Sequence, residues 1–149
     1  MFHSRDGNTI AVRLHAGEEI HAGLLEVCVH YGVTAAYVIS GIGMLKDPLL
    51  GWYDIPNQQY HEQRFEGRHE LLNLAGNVSL RDGAPMCHLH VTCSHTDYSC
   101  FGGHLFSSEV GLTGEVLLIA LPNVDMHREV ETDFGLPGLR MGGAGVSPV

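Results

Sequence analysis

Apolar and polar positions change period several times along this chain, and each change marks an element. Thr9-Ile-Ala-Val-Arg-Leu14 is rich in β-branched and aliphatic residues and reads as a first strand. Past Gly17 the spacing becomes helical: Ile20, Leu24, Val27, Cys28 and Tyr31 recur three or four apart, which predicts a helix over about 18–31. Glu18 and Glu19 suit the positive start of that helix, and Gly32 supplies its stop. Strand character returns from Thr34 to Ser40, and a turn is expected at Gly41-Ile42-Gly43. Segments 49–54 and 60–65 read as two strands about a Pro56-Asn57 turn, and 70–81 as a longer one. Asp82-Gly83 signals a tight reversal into a partner strand over 86–95. The apolar run 114–121 has the length of an interior strand and stops before Pro122.

Six or so strands about one clear helix predict an α+β fold, a mixed, largely antiparallel sheet packed with that helix. Residues 1–137 are expected to form one domain with its core at about 10–121. The stretch 138–149 contains Gly138, Gly142, Gly143 and Gly145 without an apolar period and reads as a flexible tail.

Composition narrows the function classes. Charged residues are 17% of the 149, below the roughly 25% usual in soluble domains, so a buried subunit interface is expected. Eight basic residues face 17 acidic ones, for a formal charge of -9, and Lys46 is the single lysine. Nucleic-acid surfaces gather Lys and Arg near phosphates, so direct binding to nucleic acid is not expected here. The first residues, Met1-Phe-His-Ser-Arg-Asp6, lack the apolar core of a signal peptide, and no apolar run reaches the roughly 20 residues that span a bilayer. Cys28, Cys87, Cys93 and Cys100 are therefore read as free thiols of a cytoplasmic protein.

The chemistry concentrates in histidines. Alternation over 86–95 places His88 and His90 on one strand face, with Cys87, Leu89, Val91 and Cys93 on the other. Gly102-Gly103 is expected to turn the chain and return His104 to that pair. Three imidazoles suit zinc first, or another divalent transition metal, with one position left for water or a ligand. Hydrogen-bonded structural histidines are the alternative reading. Glu70, Glu109 and Asp97 have the chemistry of an acid or base, and Cys100 that of a fourth ligand or nucleophile, though each also reads as an ordinary surface or loop residue. GxSxG, HExxH, GxGxxG and GxxxxGK motifs are all absent.

Five segments in order carry a family resemblance: Arg13-Leu-His-Ala-Gly17, Ser40-Gly-Ile-Gly43, Glu70-Leu-Leu-Asn-Leu-Ala-Gly76-Asn77, Gly83-Ala-Pro-Met-Cys-His88-Leu-His90 and Gly102-Gly-His104. Together they resemble the PPC domain family, the plant and prokaryote conserved domain also called DUF296, in its stand-alone prokaryotic form. The resemblance implies a homotrimer and assigns a metal to His88, His90 and His104, with Arg13, Glu70 or a neighbouring chain completing a pocket. It favours a metal-binding module that recognises a small ligand or protein partner. A zinc-dependent enzyme acting on a small polar or carbonyl substrate is the alternative. Transcription-associated DNA binding follows from the family label alone, because the Arg-Gly-Arg-Pro hook of plant relatives is missing here.

Overall fold

The computed structural model describes residues 1–143. Its elements are β1 (Phe2–Asp6), β2 (Thr9–His15), α1 (Ile20–Tyr31), β3 (Ala36–Asp54), β4 (Gln59–Arg64), β5 (Arg68–Arg81), β6 (Ala84–Ser94), β7 (Cys100–Ala120), β8 (Asp125–Val130) and β9 (Pro137–Gly142). They form an α+β fold in which one helix packs on a largely antiparallel mixed sheet, the β5–β8 contact being the parallel one. The strands run β1-β2-β7-β3-β5-β8-β9, with β4 on β3. Because β6 pairs with both β5 and β7, the pairings β7–β3–β5–β6 close on themselves.

The helix begins two residues inside the expected span because the Glu19 carboxylate caps it, accepting the Ala22 N–H at 2.7 Å. Gly32 ends it at φ 64°, a left-handed position that glycine adopts without penalty. Ile20, Leu24, Val27 and Cys28 are fully buried and close the core against Leu14, Leu89 and Leu118.

Three expectations need correction. Gly41 and Gly43 make no turn: β3 runs through both, with register shifts beside them. Leu74 packs against Gly41 and the Thr113 carbonyl against Gly43, leaving no room for a Cβ. Gly102 and Gly103 likewise lie inside the continuous strand β7. The strands β1 and β8 were not foreseen. Finally, the expected flexible tail is a strand over its first part: β9 pairs with β8 from Val130↔Pro137 to Asp125↔Gly142. Backbone pairing, together with Met126 buried on β8, supplies the order that an apolar period would otherwise have signalled. The remainder of the expected tail, 144–149, lies outside the described residues. Among the described residues no helix is long and apolar enough to cross a membrane.

Candidate metal centre

Strand β6 owes its register to the turn before it. Asp82 and Gly83 both take positive φ, 52° and 79°, the geometry of a two-residue hairpin turn. Arg81 then faces Ala84, and the count along the ladder sets Asn77 opposite His88 and Ala75 opposite His90. Alternation sends Cys87, Leu89, Val91 and Cys93 into the core, where none is more than 8% exposed. His88 and His90 are thereby directed outward together.

His104 arrives by strand pairing: on β7 it stands directly opposite His90. Its neighbour Leu105 is buried, so His104 shares the outward face. The three ring centroids lie 5.0, 5.1 and 5.3 Å apart. One nitrogen from each ring falls within 4.8 Å of the others. His88 Nε2 and His90 Nε2 are 3.3 Å apart.

The surroundings keep these rings neutral. Burial, the Arg128 guanidinium and His90 together push His88 down to about 4. Burial, helped by the other imidazoles, pushes His104 down to about 4 as well, and burial also lowers His90. At neutral pH all three therefore offer lone pairs. His104 Nδ1 is buried and has no hydrogen-bond partner. Three neutral, converging imidazoles and one orphaned ring nitrogen fit a divalent metal ion.

Residues around the trio orient it. Tyr60 and Phe106 pack on the His104 ring at 5.4 and 4.8 Å. Arg128 of β8 donates from Nη2 to His88 Nδ1 at 3.1 Å and to Asn77 Oδ1 at 2.8 Å. It also donates from Nε to Ser79 Oγ and from Nη1 to the Pro137 carbonyl. A guanidinium only donates, so His88 Nδ1 accepts here and the ring proton sits on Nε2, toward His90; a ring that gives its Nε2 lone pair to an ion carries that proton on Nδ1 instead and gives up the Arg128 bond. Sequence reasoning missed Arg128, because Asp125–Val130 carries no motif.

The other candidates lie elsewhere. Arg13 is exposed on β2 and lines an open groove of about 770 Å³ with Phe2, Ile42 and Leu117. Glu70 is exposed on β5 beside Gly43 and Thr113. Glu109 pairs with Lys46 at 2.9 Å, and Asp97 accepts from the Ser99 hydroxyl and amide. Cys100 is exposed, while Cys28, Cys87 and Cys93 are buried free thiols held above their usual range by burial. None of these carboxylates hydrogen-bonds the histidine trio.

Comparison with known proteins gives the fold a context. The sequence model of the Plants and Prokaryotes Conserved (PCC) domain matches residues 1–122. A plant- and prokaryote-conserved (PPC) protein of Pyrococcus horikoshii is 34% identical, with a TM-score of 0.82 over 91% of this chain and 92% of that one. A metal-containing protein of Archaeoglobus fulgidus is 33% identical, with a TM-score of 0.82 over 88% and 91%. A candidate DNA-binding protein of Bacteroides thetaiotaomicron is 27% identical, with a TM-score of 0.87 over 93% and 96%. No curated protein matches the sequence. The Bacteroides relative corrects the expectation that nucleic acid is not a partner. Net charge sums the whole surface, whereas binding depends on local patches, so a charge of -9 does not exclude this class.

Proposed function

The chain belongs to the Plants and Prokaryotes Conserved (PCC) domain family, and on that premise we propose that it is a metal-binding module recognising a small ligand or protein partner. His88, His90 and His104 hold one divalent transition ion, zinc foremost, and leave a coordination position open toward solvent. The convergence of three neutral imidazoles within 4.8 Å carries this reading. The metal-containing relative of Archaeoglobus fulgidus supports it. When bound, the ion supplies a Lewis-acidic position at which a ligand atom can be held. The protein's part is to fix the three rings: the β5–β6–β7 ladder sets their spacing, and Tyr60 and Phe106 pack on the His104 ring.

The module reading stands before the enzymatic one because, among the described residues, no carboxylate hydrogen-bonds the trio to serve as acid or base. A homotrimer is part of the proposal, supported by the outward apolar side chains Ile42, Leu117 and Ile119. The four free cysteines support a reducing, cytoplasmic setting. Metal analysis of protein purified without added metal or a histidine tag tests the reading. About one ion per chain is expected, and a folded preparation that neither retains nor takes up a divalent ion overturns it.

A second reading, nucleic-acid binding, rests on the Bacteroides relative. Duplex binding that persists at near-physiological salt supports it. Binding that vanishes there counts against it.

A further inference from the structure

The charges around the histidine trio do not balance. Neutral imidazoles leave a bound divalent ion with its full double charge. Arg128 adds a guanidinium 3.1 Å from the far nitrogen of the His88 ring. Its partners are the side-chain oxygens of Asn77 and Ser79 and the carbonyl of Pro137, all uncharged. Among the described residues, no carboxylate lies within salt-bridge reach of Arg128 or of the trio, although acidic residues outnumber basic ones 17 to 8. His90, by contrast, is exposed, so the trio opens to solvent.

We propose that the exchangeable ligand of this site is a small oxyanion, a carboxylate or phosphate oxygen bound at the open metal position and favoured by the unpaired charge of Arg128. The inference rests on the metal-binding reading and names the ligand class that reading leaves open. A half-buried guanidinium with only neutral partners is electrostatically incomplete, and so is a doubly charged ion on three neutral rings. An anionic oxygen at the ion offsets the ion's charge and is also attracted by the field of the guanidinium, which partial desolvation strengthens. Arg128 acts through its field, held in place by Asn77, Ser79 and the Pro137 carbonyl, which makes it a positioning residue. Its four hydrogen bonds leave one of its five N–H groups uncommitted.

Cobalt(II) is the probe, because its visible spectrum reports both occupancy and exchange of a ligand. Metal-free protein is loaded with Co²⁺ and titrated separately with acetate and inorganic phosphate at constant ionic strength set by perchlorate. The expected result is a saturable spectral change with at least one of the two anions, and which of them binds tighter separates carboxylate from phosphate as the source. Arg128→Met should weaken that anion about fivefold or more with Co²⁺ stoichiometry unchanged, while Arg128→Lys, which keeps the charge, should stay within about twofold. Cobalt that binds but whose spectrum neither anion moves up to about 0.1 M overturns the inference alone. Equal anion affinity in the Met variant overturns the role of Arg128. Failure to bind cobalt overturns the metal-binding reading and the inference with it.

Discussion

His90 and His104 stand directly opposite one another across the β6–β7 ladder, their ring centroids 5.3 Å apart. The pair ends the β6–β7 ladder, and each strand is also paired along its other edge, His90 with Ala75 of β5 and His104 with Gly51 of β3, so its spacing does not depend on the side chains themselves. Replacing one ring should therefore remove a ligand and leave the ladder intact. His104→Ala is expected to bind zinc more weakly by well over the roughly 10–100-fold typical of changes behind the ligands, with an unchanged circular dichroism spectrum. Competition against a chromophoric chelator measures the affinity. Unchanged affinity removes His104 from the site, and loss of fold makes it a structural residue.

The same histidines set a pH dependence. In the folded chain His88 and His104 titrate at about 4, below the ordinary 6.5. Between those values the unfolded chain takes up protons that the folded chain refuses, so acidification favours unfolding. The contribution is fully present above pH 6.5, is lost as pH falls toward about 4, and then levels off. Each histidine adds a slope of at most about 1.4 kcal/mol per pH unit within that window. Urea denaturation of metal-free protein across the window should show the decline, and His88→Asn or His104→Asn should make it shallower. Parallel wild-type and variant profiles would show that neither ring carries the effect.

A glycine beneath the site is as consequential as the ligands above it. Gly76 lies opposite Leu89 in the β5–β6 ladder with φ 158°, and a Cβ there would run into the His88 carbonyl and come within 3.0 Å of the Leu89 Cα. Backbone atoms cannot swing aside as a side chain does. Gly76→Ala is predicted to destabilise by about 3 kcal/mol and to weaken metal binding, because relief of the clash moves the strand that carries His88 and His90. Gly7→Ala is the control: its φ is also positive, 56°, but nothing lies within 4 Å of the added atom. It should cost only about 1–2 kcal/mol and leave the metal site alone. Thermal melts with metal titrations decide, and equal effects at the two glycines would remove Gly76 from the argument.

Much of this arrangement was legible in the chain. The alternation of Cys87, Leu89, Val91 and Cys93 with His88 and His90 gave the strand faces, because burial on one side forces exposure on the other. Asp82-Gly83 gave the hairpin. Glycines misled where they serve close backbone approach: Gly41 and Gly43 sit inside β3, and Gly102 and Gly103 inside β7, so His104 reaches the trio along a strand and by no turn. Arg128 was invisible because its role depends on β8 meeting β5 through the single pair Leu80↔His127. Such long-range contacts leave no local period.

The outer face of β3 and β7 bears on assembly. Leu118 and Val116 point to the core, so Leu117 and Ile119 must point outward, and they remain 37% and 36% exposed beside Ile42 at 52%. Leu117 and Ile42 also line the groove that contains Arg13. An apolar face of this kind is stabilised by a second copy, and light scattering should give three times the 16.2 kDa chain mass. Leu117→Glu would place a carboxylate in a dry interface, where an unpaired charge costs several kcal/mol, and should dissociate the trimer. A wild-type chain that runs as a monomer at about 50 μM, weaker than stable assemblies of ordinary size, overturns the trimer. The dissociated variant also reports on the metal: His88, His90 and His104 all come from one chain, so the monomer should keep its ion. Loss of both together would mean that a neighbouring subunit completes the coordination.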